Sequence, residues 1–401
     1  MDYKTNHDFR MVSQAARVYS GKDALGNLPA ELKRHKARRA LVICGRSVSQ
    51  KTDLISRIKA LLGDSCAGIY AEMRKDTPLE DVIAARDLAR ATQADILIGV
   101  GGGSVIQGAR VVAILLAEKQ APQELATQYP EFGAAISPKL LAPKLPIINV
   151  LTMGTAAQNR GGSPVKYGDS RLEFFDPKTR PVALFWDADA LMTAPDSMLR
   201  TSGASVLWRS CMDMGYTSAS PIAHYNRRQV FEITENALAH IDSKDPWPRI
   251  DLCIATYLQN READDGGGRV HHWPGRVVYA FATSIFNRFE HVGQGEARSA
   301  LTPTVMRRLG SRDPEAMCRI AETLGVWRES DAVADAPMRA ADELERRFGK
   351  LGMPRTLTDI KVPRDSAPTL LENSLKNFNA DPRREFIKER DLLREVLDAC
   401  W

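Results

Sequence analysis

The chain has 401 residues, 44% of them apolar and 26% charged, with 55 Lys and Arg against 50 Asp and Glu for a formal net charge of +5. That length and balance can bury a large core and point to two globular domains, while the small and dispersed basic excess excludes the concentrated stripe that nucleic-acid binding requires. No apolar run approaches membrane-spanning length, the polar start Met1-Asp-Tyr-Lys-Thr-Asn6 lacks a signal-peptide core, and six scattered cysteines indicate neither a zinc site nor a disulfide framework, so a cytoplasmic protein with reduced thiols and no membrane partner is expected.

Ala40–Cys44 reads as a buried strand that ends at Gly45-Arg46-Ser47, and an amphipathic helix carrying Leu54, Ile55, Ile58, Leu61 and Leu62 follows. Ala67–Tyr70 is a short strand, and Thr77-Pro78 opens a helix through Val82, Ile83 and Ala84. Ile96–Val100 is the clearest strand. It stops in Gly101-Gly102-Gly103-Ser104, and helical spacing resumes from Val105 to Glu118. Three glycines let a backbone turn tightly and approach an anion with no Cβ in the way, while the N–H groups opening the next helix and the Ser104 hydroxyl point at it.

Leu145–Val150 is a further strand, ending at Thr152-Met-Gly-Thr155; a polar hairpin follows, and Pro181–Trp186 is the last strand. From Asp187-Ala-Asp-Ala-Leu-Met-Thr-Ala-Pro195 onward the character changes. The spacing is then helical almost throughout, with breaks at Ser218–Pro221, Ser243–Pro248, Asp264–Gly268 and Ala336-Pro337. The expected fold is an α/β domain over residues 1–195, built on a Rossmann-like parallel sheet, followed by an all-α domain over 196–401. Ligands of such sheets collect at the carboxyl ends of the strands, so Gly45-Arg46-Ser47 and Gly101–Ser104 should sit side by side.

The order of these motifs resembles the iron-containing alcohol dehydrogenase family, which includes maleylacetate reductases and is distantly similar to glycerol dehydrogenase and dehydroquinate synthase. Gly101-Gly-Gly-Ser104 with Gln107 and Ala109-Arg110 is similar to the family's Gly-Gly-Gly-Ser-x-x-Asp-x-Ala-Lys, with Gln for Asp and Arg for Lys. Thr152-Met-Gly-Thr155 stands where the family has Thr-Ala-Gly-Thr, and Asp187–Pro195 looks like its Asp-Pro-x-Leu-x-x-x-x-Pro. Leu351-Gly-Met-Pro-Arg-Thr-Leu357 and Asn379-Ala-Asp-Pro-Arg383 resemble its closing signatures. The resemblance implies the dehydroquinate synthase-like two-domain fold, a homodimer, a small-molecule substrate and a nicotinamide cofactor. The cofactor's pyrophosphate would lie on Gly102, Gly103 and Ser104, its nicotinamide end near Thr152 and Thr155, and Arg171 would keep the charge of a cofactor-contacting Lys. Where many relatives place an Asp on the adenosine ribose, this chain has Gly45 followed by Arg46, so NADPH is expected to be accepted at least as well as NADH.

The family's metal ligands, one Asp and three His, fall on Ser205, Arg209, Ala280 and Gln294. A hydroxyl, a guanidinium, a methyl group and an amide do not form a divalent-metal ligand set, and no metal is expected. A site displaced onto His271, His272 and His291 is the alternative; His7, His35, His224 and His240 show no ligand spacing. Arg209 is the candidate to stabilise the charge that a metal would otherwise hold, with His291, Tyr279 or water giving the proton; the competing role for Arg209 is a pair with Glu290 or Asp213. The resulting expectation is a metal-independent NAD(P)-dependent reductase or dehydrogenase for a small carbonyl or alcohol. Non-redox or transient-redox nicotinamide chemistry, and a non-catalytic dinucleotide-binding role, are the alternatives.

Overall fold

Strands that are apolar at every position must be covered on both faces, and alternation then assigns odd and even residues to different cores. The computed structural model describes residues 7–12, 14–130, 134–168, 170–216, 219–264 and 272–401. Its strands are β1 (Arg17–Gly21), β2 (Ala40–Cys44), β3 (Cys66–Tyr70), β4 (Ile96–Gly101), β5 (Ile147–Leu151), β6 (Gly162–Tyr167), β7 (Ser170–Phe175) and β8 (Ala183–Asp187). Six form one parallel sheet in the order β1-β8-β5-β4-β2-β3, and β6 and β7 form a separate antiparallel hairpin. The helices of this half are α1 (Leu28–Arg34), α2 (Arg46–Lys51), α3 (Leu54–Leu62), α4 (Leu79–Ala91), α5 (Gly103–Ala117), α6 (Pro122–Leu125) and α7 (Ala188–Met192).

Val42, Ile96, Ile98, Val100 and Ile148 pack with Leu28 and Leu32 of α1 and Leu54 and Ile58 of α3. Their neighbours Leu41, Ile43, Leu97 and Ile147 pack instead with Val82 and Ala85 of α4 and Ala109 and Val112 of α5. From β2 the chain goes outward to β3 and then returns to form β4 on the other side of β2. That reversal opens a crevice at the carboxyl ends of β2 and β4, which carry Gly45-Arg46-Ser47 and Gly101–Ser104 as expected.

Three features differ from the sequence reading. β1 is an additional edge strand; Tyr19 stacks on Phe185 of β8 with ring centroids 4.8 Å apart. The helix expected after β2 is two helices, because the Thr52 hydroxyl donates to the Val48 carbonyl (2.6 Å) and accepts from the Leu54 N–H (3.3 Å), ending one and starting the next. The third concerns the helical half, which comprises α8 (Asp196–Met214), α9 (Pro221–Ala239), α10 (Trp247–Asp264), α11 (Trp273–Arg288), α12 (Gln294–Leu309), α13 (Pro314–Thr323), α14 (Ala336–Lys350), α15 (Ala367–Leu375) and α16 (Arg390–Asp398). Gln14–Pro195 and His240–Asn260 form one compact unit, and Asp196–Ala239 with Arg261–Trp401 belong to the other. Most of α10 therefore packs on the sheet: Ile250, Cys253, Ile254 and Tyr257 cover Leu151, Leu184 and Trp186. Of the break expected at Ser218–Pro221, Ser218 lies outside the described residues and α9 begins at Pro221; of Asp264–Gly268, only Asp264 is described. Among the described residues no helix is long and apolar enough to cross a membrane.

Glu31 on α1 locks the edge strand down. Its side chain is buried and accepts from Arg17 (2.6 and 2.7 Å) and from the Tyr19 hydroxyl (2.6 Å). Burial opposes ionisation of this carboxyl, but the bonds from Arg17 and Tyr19 prevail and pull it down to about 2. A folded-state value below the unfolded one gives stability that is complete above about pH 4.5 and is lost as pH falls toward about 2. Glu31→Gln is predicted to lower stability at neutral pH by about 1–3 kcal/mol. It should also flatten the acid limb of a melting-temperature profile, which thermal unfolding from pH 7 to pH 3 will measure.

Candidate active site

β4 can turn into α5 only because the turn has no side chains. Gly101 has φ +151°, and a Cβ there would lie 3.0 Å from the Val105 Cγ2. A Cβ on Gly102 would lie 3.2 Å from the Met153 sulfur, and one on Gly103 would lie 3.1 Å from the Thr155 hydroxyl. Both glycines thus let the turn after β5 close over them. The first bond of the α5 ladder is the Ile106 N–H to the Gly102 carbonyl (3.2 Å), so the N–H groups of Gly103, Ser104 and Val105 precede the ladder. Residues 102–104 are partly exposed. The Ser104 hydroxyl accepts from the Asp76 N–H (3.0 Å), and its carbonyl accepts from the Thr77 hydroxyl (2.9 Å). Asp76 and Thr77 hold φ of 62° and 56°, a left-handed turn that is strained for a β-branched residue. A partly exposed glycine turn whose helix-opening N–H groups precede the ladder suits the pyrophosphate of a dinucleotide.

The neighbouring segment, residues 152–161, is fixed from two sides. Its Thr152 N–H donates to the Gly101 carbonyl (3.3 Å), and the Thr155 hydroxyl accepts from the Ala157 N–H (3.2 Å). Gly154 meets α10 directly, since a Cβ there would lie 2.9 Å from the Leu252 carbonyl carbon and oxygen. Gln158 donates to the Cys253 carbonyl (2.8 Å) and the Thr256 hydroxyl (2.6 Å) and accepts from the Trp186 indole N–H (2.9 Å). Asn260 donates to the Ala156 carbonyl (2.9 Å). From α5, Arg110 donates through Nε to the Ser163 hydroxyl (2.8 Å) and through Nη1 to the carbonyls of Ala157 (2.5 Å) and Arg160 (2.7 Å). Burial, with Arg160 and Arg180 nearby, pushes this guanidinium down to about 9. Arg110 is thus a clamp on the segment that carries Thr152 and Thr155.

Arg171 lies on β7 directly across from Lys166 of β6. The Lys166 N–H donates to the carbonyls of Asp76 (3.3 Å) and Thr77 (3.1 Å), which ties the hairpin to the turn against Ser104. Arg46, at the start of α2, has its Nε hydrogen bonded to the carboxylate of Glu72, and both side chains are exposed. Gly45 is closed in, since a Cβ would lie 3.0 Å from the Met73 carbonyl, and Ser47 is in the first turn of α2. The sequence reading missed Glu72, which offsets the charge expected to receive a 2′-phosphate.

In the helical unit, Ser205 and Arg209 lie one turn apart on α8 and are partly exposed, Ala280 is buried in α11, and Gln294 is exposed at the start of α12. Arg209 Nε is 3.4 Å from Asp213 Oδ2, the pair anticipated as one of its two roles. The residue that sequence spacing missed is Arg298, one turn past Gln294. Its Nη1 donates to the Ser205 hydroxyl, and its Cζ stands 4.4 Å over the Trp208 ring. Burial pushes the Arg298 guanidinium down to about 10, with Tyr279, Arg209 and Asp213 within electrostatic reach. His291 is exposed, and its Nε2 is 3.0 Å from the Ile360 carbonyl, to which it donates as the Nε2–H tautomer. His272 caps α11: its Nδ1 accepts from the Gly275 N–H (3.2 Å) and its Nε2 lies 3.0 Å from the Met212 carbonyl. His271 lies outside the described residues. Among those described, no three or more His, Cys, Asp or Glu are grouped to hold a metal. A guanidinium on the Ser205 hydroxyl is also the wrong chemistry for a cation seat.

A parallel sheet with a glycine turn at its switch point, followed by a helical region, is a Rossmann-like α/β architecture with an appended helical unit. Residues 15–188 match the model of the family described as iron-containing alcohol dehydrogenase. The chain is 24% identical over 361 residues to the long-chain-alcohol dehydrogenase 1 of Geobacillus thermodenitrificans, covering 89% of this chain and 88% of that one. It is 22% identical over 395 residues to the lactaldehyde reductase of Escherichia coli K12, covering 96% and 97%. Its fold matches the crystal structure of the NADH-dependent butanol dehydrogenase A of Thermotoga maritima with a TM-score of 0.81 at 18% identity, over 99% of each chain. The family match is thus confined to residues 15–188, and the relatives that the chain resembles along most of its length are alcohol dehydrogenases and reductases.

Two substitutions test the geometry of the α/β unit. Arg110→Met should raise the dissociation constant for NADH or NADPH about tenfold or more by releasing residues 156–161, with fluorescence titration as the measurement. Glu72→Gln should leave NADH binding within about twofold and tighten NADPH by about threefold to tenfold, since an exposed ion pair is weak but its carboxylate repels a phosphate.

Proposed function

We propose that this protein is an NAD(P)-dependent oxidoreductase that interconverts a small carbonyl compound and its alcohol without a bound metal. The observation that carries the reading is guanidinium chemistry at the positions where the resemblance implies a metal: Arg298 donates to Ser205, and Arg209 lies one turn along α8. The NADH named for the Thermotoga maritima enzyme supports the choice of cofactor.

When bound, the nicotinamide supplies or accepts the hydride. Gly102, Gly103 and Ser104 would hold the pyrophosphate, Thr152 and Thr155 would border the nicotinamide end, and Arg171 would keep the positive charge of a cofactor-contacting Lys. The Arg209 guanidinium donates to the oxygen on which negative charge develops, with Asp213 orienting its Nε edge. A guanidinium does not release its proton near neutrality, so the proton comes from another group. Tyr279, His291 or water supplies it in this reading, and the His291 Nε2–H is engaged by the Ile360 carbonyl.

Arg209→Ala is predicted to lower kcat by about a hundredfold or more while leaving nucleotide affinity in place. An unchanged kcat would leave Arg209 only its pair with Asp213. Dialysis against EDTA should leave turnover intact; activity lost on dialysis and restored by Fe(II) or Zn(II) would overturn the metal-free reading.

A further inference from the structure

We propose that Met153 is a redox-sensitive gate on the glycine turn: oxidation of its thioether to the sulfoxide by a hydroperoxide closes the turn to the dinucleotide. This rests on the reading of Gly102, Gly103 and Ser104 as the pyrophosphate site.

Met153 stands in Thr152-Met-Gly-Thr155 where the resemblance implies an Ala, so the position carries an oxidisable sulfur in place of an inert methyl group. Its backbone is held on both sides: the Thr152 N–H donates to the Gly101 carbonyl (3.3 Å), and Gly154 meets the backbone of Leu252. The side chain lies on Gly102. A Cβ there would be 3.2 Å from its Sδ and 3.5 Å from its Cγ, so no side chain stands between the sulfur and the turn. Met153 is partly exposed, as are residues 102–104, which opens it to a small hydroperoxide in solvent. Met73 makes the contrast: a Cβ on Gly108 would lie 2.9 Å from its sulfur, but that side chain is only 4% exposed.

In the oxidation a sulfur lone pair attacks one peroxide oxygen, an S–O bond forms and the O–O bond breaks. The proton of the transferred oxygen passes to the leaving one, which departs as water or, from an alkyl hydroperoxide, as an alcohol; the sulfur loses the two electrons that the peroxide gains. A thioether is a weak acceptor, whereas a sulfoxide is polar and its oxygen seeks donors. The donors at hand are the N–H groups of Gly103, Ser104 and Val105, which precede the α5 ladder. An oxygen tethered to the chain competes for them at high effective concentration with a phosphate oxygen that must come from solution. It also takes up space that exists only because Gly102 has no side chain.

The test treats the full-length protein with hydrogen peroxide, locates the sulfoxides by peptide mass spectrometry, and titrates NADH and NADPH by fluorescence before and after. A dissociation constant raised about tenfold or more, in step with oxidation of Met153, is expected, and methionine sulfoxide reductase should reverse it. Met153→Leu, which keeps the exposed Met11, Met192, Met198 and Met338, should show one dissociation constant with and without peroxide. A loss of affinity that survives Met153→Leu would overturn the gate, as would one that dithiothreitol alone reverses through a thiol such as the partly exposed Cys66. Met153 left unoxidised in the folded protein, or oxidised with affinity unchanged, counts against it equally. If the untreated protein binds neither nucleotide, the cofactor reading fails by itself, and hydrogen exchange still decides: the amides of residues 103–105 should exchange several-fold more slowly once Met153 is oxidised, and unchanged or faster exchange refutes the gate. Should Met153→Leu fail to fold, Met153→Ala replaces it with the same expectation.

Discussion

Two guanidiniums buried among carbonyls and hydroxyls are the constraint on which both units rest. Arg110 ties α5 to residues 157–163, and Arg298 ties α12 to α8. Withdrawing such a charge from water costs several kcal/mol, at about the scale of a whole domain's stability, unless acceptors stand ready for it. Neither guanidinium is in a salt bridge among the described residues, so the backbone itself must be held where its carbonyls can receive the protons. A segment that would otherwise be a mobile loop, residues 152–161, becomes a fixed wall beside the glycine turn. The planar fork of Arg reaches Ser163, Ala157 and Arg160 at once, which a Lys ammonium on one flexible stem does not.

The second support of that wall is α10. Gly154 accepts the backbone of Leu252 at a distance that excludes any Cβ, and Gln158 joins strands and helix through Trp186, Cys253 and Thr256. The turn at Asp76-Thr77, strained in two consecutive residues, links Ser104 to the hairpin that carries Lys166 and Arg171. Strain of this kind persists only where the surroundings over-determine it, and here it holds the hairpin backbone at Lys166 to the turn that bonds Ser104.

The strands and the glycine turn were legible because their signals are local: Gly101 must hold φ +151°, and Ile96–Val100 is buried on both faces. β1 was not, because Arg17-Val-Tyr-Ser-Gly21 is neither a continuous apolar run nor a clean alternation and gains its place only by pairing with β8, 166 positions later in register (Arg17 with Ala183). Arg110 read as a plain substitute for a family Lys, since spacing cannot show that its acceptors lie beyond a loop. Arg298 left no trace in the sequence at all; the close approach of Gly293 and Gly295 to Thr201 is what brings it to Ser205. The buried polar run Gln158-Asn159 after Thr152–Thr155 was the one signal available for the wall, and the helix it docks on lies about a hundred residues away, at the scale where local pattern carries no information.

In the reading proposed here, a replacement of charge joins these features: the resemblance implies a divalent cation at positions where this chain has a hydroxyl covered by a guanidinium, and fixed charge needs neither loading nor a ligand cage. The most direct test is the metal content of protein expressed with iron and zinc in the medium and purified without chelator, read by inductively coupled plasma mass spectrometry. Far less than one equivalent of any divalent metal is predicted in protein that still binds NADH or NADPH; iron or zinc near one per chain would contradict the account.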